Sequence, residues 1–193
     1  HYAEGRAWHR QTSVHQTMTL DGRDSRDEGR HLLWKSESGY DVIVVENGSY
    51  DGLIHRRTAW FVDRRHFVLL DEAIGAEEGV LDLHFQFAPG DVTFDPGSRS
   101  AWTQFDDANV LLVGGPASAI ELQEEEGWFA WTYGHRKPRQ ACRLRNSSSA
   151  PAYFVTGVLP YKGKEKPDLA FESDEVEPGE DPTEALIREL REE

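Results

Sequence analysis

The chain has 193 residues, 38% hydrophobic and 11% aromatic, which is enough apolar volume for one β-rich domain with a sizeable core. A formal net charge of −14 excludes a general nucleic-acid or anionic-membrane surface, because such partners are met by a basic field. The single cysteine, Cys142, excludes a disulfide framework or a cysteine-built metal site within a monomer.

Residues 6–22 gather an unusual density of polar, ligand-capable side chains. Alternation from Val14 predicts a strand to Asp21, with Val14, Gln16, Met18 and Leu20 on one face and His15, Thr17, Thr19 and Asp21 on the other. The polar run to Arg30, with two glycines, predicts a loop. Short strands follow at His31–Lys35 and Asp41–Glu46, then a loop over Asn47–Gly52.

The clearest hairpin runs from His55 to Val62, turns at Asp63-Arg64-Arg65 and returns over His66–Asp71, whose apolar run predicts a central strand buried on both faces. Val80–Phe87 alternates, placing Leu81, Leu83, Phe85 and Phe87 inward and Asp82, His84 and Gln86 outward. Further strands are predicted near 100–104, 109–113, 119–123, 128–133, 141–145 and 152–159. Short strands at regular spacing, punctuated by Gly, Pro and Asp, predict an all-β fold, an antiparallel β-sandwich of many short strands occupying residues 1–170.

After Pro160 the character changes. Residues 162–193 hold 5 Lys/Arg and 12 Asp/Glu, so half of the acidic excess sits here. Residues 171–193 read as an acidic tail, in which Asp181 as N-cap, Pro182 at the first helical position and Glu184 predict a short C-terminal helix striped by Leu186, Ile187 and Leu190. No apolar run reaches membrane-spanning length and no signal-type segment opens the chain, so His1 reads as the start of a mature form or a fragment.

Four features carry chemistry. His15, beside Thr17, Thr19 and Asp21, has the character of a zinc ligand, although a strand histidine is more often structural. His55-Arg56-Arg57 is either an acid/base or anion-binding strand end or a solvated charged end. His84 reads as structural. Gly127-Trp-Phe-Ala-Trp-Thr-Tyr-Gly134 puts aromatic rings on both strand faces, as core or as a sugar-stacking surface, and His135-Arg-Lys-Pro-Arg139 adds the densest basic cluster. No GxSxG, phosphate-binding glycine loop, HExxH or dinucleotide fingerprint occurs.

Taken in order, Arg6–Gly22, His55–Val62, Phe67–Gly75, Glu124–Gly127 with Tyr133, and Val158–Tyr161 resemble the C-terminal part of the heparinase II/III family. That resemblance implies a β-sandwich packed on a missing N-terminal (α/α) toroid, with an acidic polysaccharide in the cleft between them. It implies β-elimination on uronic-acid-containing glycosaminoglycans, the catalytic Asn, Tyr and His lying outside this chain, so the chain alone is expected to be inactive and to hold no catalytic residue. Carried over residue by residue, it makes His15 a ligand of a divalent metal such as zinc that only the full-length protein completes, with no metal held by this chain alone. It makes His55, with Arg10 and Arg56, substrate-facing. It further implies a periplasmic or secreted location, while the acidic net charge is what argues against a nucleic-acid or membrane partner. The alternative left open is a non-catalytic carbohydrate-binding or structural module, for which exposure of Trp128, Trp131 and Tyr133 is the discriminating observation.

Overall fold

The structure, a computed structural model, describes residues 2–26, 28–115 and 119–168. The predicted acidic tail 171–193 and its helix lie outside the described residues. A short helix α1 (Tyr2–Trp8) and one 3-10 turn (Thr12–Val14) precede the strands β1 (Met18–Leu20), β2 (Gly29–Ser36), β3 (Tyr40–Tyr50), β4 (Leu53–Val62), β5 (His66–Gly75) and β6 (Leu81–Gln86). Then come β7 (Val92–Asp95), β8 (Ser100–Thr103), β9 (Ala108–Gly114), β10 (Ile120–Thr132), β11 (His135–Asn146) and β12 (Ala152–Lys162).

These strands form two antiparallel sheets, a four-stranded one ordered β1-β6-β11-β10 and an eight-stranded one ordered β2-β3-β4-β5-β12-β9-β8-β7. The antiparallel sandwich expected from strand spacing is therefore present. Between the sheets, Met18, Leu20, Leu81, Leu83, Cys142 and Leu144 of the small sheet pack with Leu53, Ala73, Ala101, Leu112 and Phe154 of the large one. Burying each of the large aliphatic or aromatic side chains stabilises the fold by roughly 1.5–3 kcal/mol. A second cluster, Val42, Trp60, Val62, Val68 and Leu70, lies on the opposite face of the large sheet.

This division accounts for β5. It is the fourth of eight strands, and its apolar run alternates between two clusters, Leu69 packing toward the inter-sheet core and Val68 and Leu70 toward the other. Phe67 departs from the expectation of burial on both faces: it is exposed, stacked on Phe61 with ring centroids 4.5 Å apart. The β4–β5 turn places Asp63 and Arg64 at φ 49° and 54°, closed by the Arg65 N–H donating to the Val62 carbonyl at 2.9 Å. Two successive positive φ values match the twist of the flanking strands.

Four expectations are corrected. The opening strand is only Met18–Leu20, all three residues buried, because the segment before it is held in a 3-10 turn: the Asp24 carboxylate accepts from the Thr12 N–H at 2.6 Å, and Thr12 Oγ1 accepts from the Ser25 N–H at 2.8 Å. His15 therefore sits at the exit of that turn, not on a strand. The loop expected at Asn47–Gly52 is strand as far as Tyr50, with a register shift between Asn47 and Tyr50. The strands expected at 119–123 and 128–133 are one continuous β10, and the basic cluster at 135–139 is the start of β11.

The fourth correction concerns β6, where Asp82 and His84 are as buried as the leucines between them. Their face carries a polar layer. His84 Nε2 meets Thr19 Oγ1 at 2.9 Å and its Nδ1 meets Glu125 Oε2 at 2.8 Å, while Arg145 forks onto Asp82 at 2.7 and 2.8 Å. With both ring nitrogens engaged, His84 is held as a structural residue.

Candidate functional site: a polar groove over strands β3 to β5

Strand alternation places His55 and Arg57 on the face of β4 that looks toward the small sheet. On β5, Asp71 is the cross-strand partner of Arg57 and is completely buried. Asp71 Oδ1 accepts from His55 Nε2 at 2.5 Å and from Arg57 Nε at 2.7 Å. Burial by itself would raise the Asp71 carboxyl, but the adjacent Arg57 charge and the hydrogen bonds from His55 and Arg57 outweigh it and hold it below its ordinary range. An ionised carboxylate only accepts, so His55 donates to it through Nε2–H, and Nδ1 faces the Thr17 hydroxyl at 3.4 Å.

The opening segment lies over this cluster. Arg57 Nη1 donates to the Gln16 carbonyl at 2.8 Å, and the His84 N–H donates to the Thr17 carbonyl at 3.0 Å, so residues 15–17 are clamped between the two sheets. Two cavities open on either side. One, of about 370 Å³, is lined by Thr17, Arg30, His31, Asn47, His55 and Arg57 among others. The other, of about 570 Å³, is lined by Arg10, Thr12, His15, Thr17, Asp24 and Asn47 among others. They adjoin at Thr17 and Asn47, as two halves of a groove that residues 15–17 divide.

The lining mixes charges: Arg10, Arg30 and Arg57 stand with the Asp24 and Glu46 carboxylates, and Arg30 and Arg57 are paired with Glu46 and Asp71. Buried among these groups, Arg57 Nη2, Asn47 Oδ1 and Asp71 Oδ2 have no hydrogen-bond partner. Such orphans are uncommon in a finished interior.

The heparinase II/III-like, C-terminal, family matches residues 1–172. The chain belongs to the heparinase II/III-like C-terminal family. Two similar proteins are the heparin-sulfate lyases of Bacteroides stercoris, 32% identical over 163 residues, and of Pedobacter heparinus, 30% identical over 171 residues. These alignments cover 82% and 86% of this chain but 24% and 26% of the relatives. The crystal structure of heparan sulfate lyase HepC from Pedobacter heparinus superposes with a TM-score of 0.82 at 30% identity, covering 87% of this chain and 27% of that one. The chain thus spans about a quarter of the length of these lyases.

Within this heparinase-family domain, Arg10 and His15 line one half of the groove and His55 the adjoining half. Arg56 does not join them. It projects from the other face of β4, where it pairs with Glu46 at 2.5 Å and approaches Glu72 at 3.9 Å. Arg57, Asp71, Thr17 and Asn47 take part instead. Of these, Arg57 was legible, since it shares a strand face with His55 by the same alternation that rejects Arg56.

The metal reading was tested against the side chains present. Among the described residues no three His, Cys, Asp or Glu side chains are grouped as a metal would require. Around the His15 cavity the only carboxylate is Asp24, already accepting from Thr12. The described residues therefore do not fit a metal site of their own. No helix among them is long and apolar enough to cross a membrane.

Proposed function

We propose that this domain forms one wall of a cleft that binds an acidic, uronic-acid-containing polysaccharide of the heparan sulfate kind, within a longer lyase that cleaves it by β-elimination. The observation that carries the reading is the placement of Arg10 and His15 on one half of the groove and of His55 and Arg57 on the adjoining half, in a chain whose net charge of −14 is otherwise opposed to such a ligand. In this arrangement Arg10 and His15, both exposed, meet sulfate or carboxylate groups, while Arg57 and the His55–Thr17 pair offer fixed polar contacts deeper in the groove. Pre-positioned groups of this kind bind without reorganising, which is where their advantage over surface lysines lies.

The chemistry of β-elimination needs a base for the C5 proton of the uronic acid, neutralisation of its carboxylate, and departure of the 4-O-linked sugar. These groups are assigned to parts of the longer protein outside this chain. A metal held in part by His15 would likewise take its remaining ligands from there.

The test is a calorimetric titration of the chain with a size-defined heparan sulfate oligosaccharide, alongside an ultraviolet assay for unsaturated product. Binding is expected at low salt and is expected to weaken by about tenfold in Arg10→Ser/His15→Ala, as loss of two exposed polar contacts worth about 0.7 kcal/mol each implies, with no growth of absorbance. Unchanged affinity in that variant overturns the groove as the binding surface, and rising absorbance overturns the inactivity of the chain.

A further inference from the structure

The β10–β11 hairpin outruns the sheet it belongs to. Its strands pair from Ile120–Asn146 out to Thr132–His135, whereas β6 stops at the Gln86–Ala141 pair, so the outer half is a two-stranded ribbon. Such a ribbon is marginal unless anchored. Here the anchor is at its base, where the Trp8 indole lies against Gly127, a Cβ on which would come within 3.2 Å of the ring, and where Arg139 Nη2 donates to the Val14 carbonyl at 3.1 Å. The tip is left in solvent.

That tip presents Phe129, Trp131 and Tyr133 at 38%, 53% and 78% exposure. Cations sit among the rings: Arg136 Cζ lies 4.1 Å from the Trp128 centroid and Lys137 Nζ 5.4 Å from that of Trp131, with the His135 ring 6.0 Å away. At the base, Trp8, Trp128, Arg139 and Gln140 line a cavity of about 480 Å³, and the Arg139 Nε is buried without a hydrogen-bond partner. Rings interleaved with cations suit neither a water-facing ribbon nor an apolar protein interface, whose centre is depleted of lysine. They suit a ligand with alternating apolar faces and anionic groups.

We propose that the tip of this hairpin is a second contact site for an acidic polysaccharide, in which a sugar ring stacks on Trp131 while its sulfate or carboxylate groups meet Lys137 and His135, which share its face of the ribbon. The ligand class rests on the reading of the groove; the site does not. Trp8, two residues before Arg10 in the opening segment, lines the cavity at the base of the ribbon.

The experiment titrates the intact chain by calorimetry with a heparan sulfate oligosaccharide and with a neutral cello-oligosaccharide of equal length, using Trp131→Ala, Lys137→Glu and, for the groove, Arg10→Ser/His15→Ala. Trp131→Ala is expected to weaken the sulfated ligand by about three- to tenfold through lost stacking, and Lys137→Glu by a similar factor that shrinks as salt rises. Affinities of both hairpin variants within about twofold of the parent, with unchanged circular dichroism, overturn the proposal and make the tip a protein-docking surface. Loss in Lys137→Glu alone overturns the stacking. Equal binding of the neutral ligand overturns the anionic contact. Because the groove variant is scored separately, hairpin loss with an intact groove response, or the reverse, tells which of the two readings has failed.

Discussion

Replacing Asp71 by Asn tests whether the groove rests on a charge. The amide preserves shape but removes the ionised acceptor shared by His55 at 2.5 Å and Arg57 at 2.7 Å. Two charge-assisted hydrogen bonds are worth about 1.5–3 kcal/mol each, and stranding one member of a buried ion pair costs about 3–5 kcal/mol. The Arg57 side chain is 19% exposed and keeps its bond to the Gln16 carbonyl, so the lower end applies, about 3 kcal/mol. With a urea slope of about 2 kcal/mol/M, the unfolding midpoint, followed by tryptophan fluorescence, should fall by about 1.5 M.

The same substitution carries a pH signature. The Asp71 carboxyl is depressed in the folded state, so its contribution is fully present above the unfolded aspartate value near 3.9 and is lost as pH falls through the lower folded value. The gap between parent and Asp71→Asn should hold from about pH 7 to 5 and close below about pH 4. A midpoint shift below about 0.5 M at pH 7, or a gap that widens in acid, would refute the ionised-pair account.

Two further outcomes are expected. Cys142 is fully buried and its thiol is pushed up to about 12 by burial, with the Glu125 charge adding to it, so at pH 8 iodoacetamide should leave the native chain unmodified and alkylate it only in denaturant; stoichiometric native labelling would contradict the packing. Gly75 sits at φ 152°, and a Cβ there would lie 2.0 Å from the Gly52 carbonyl oxygen, so Gly75→Ala should cost about 3 kcal/mol in urea unfolding and distort the β4–β5 pair near His55.

The sandwich was legible because its strands alternate and break at Gly, Pro and Asp, signals that are local. The groove was half legible. His55 announced itself at the start of a strong strand, and alternation already separates Arg57 from Arg56, a step that grouping the two arginines by adjacency obscures. His15 was misplaced for a non-local reason: Thr12–Val14 has strand-like composition, but contacts from Asp24 and Ser25, a dozen residues on, fold it into a turn. Gly127 falls between the two strands expected at 119–123 and 128–133, whereas it lies inside one unbroken strand and admits the Trp8 indole against it, which only the tertiary contact reveals. Asp71 closed an apolar run and looked like a strand end. Only the strand register turns it into the anion beneath His55 and Arg57.

Strand β2 has one further consequence. It is an edge strand, exposed at every position, with Leu32, Leu33 and Trp34 at 42%, 43% and 65% exposure, and the opposite edge, β7, is only four residues long. Among the described residues, β2 is thus the longer of the two edges of the large sheet, its row of backbone donors and acceptors interrupted by a register shift between His31 and Leu33. Arg30, His31 and Lys35 on that edge, together with mutual repulsion between copies carrying a charge of −14, oppose strand addition between molecules. The acidity of the chain thus acts as a colloidal safeguard for its most vulnerable backbone, one that weakens as added salt shortens the reach of that repulsion.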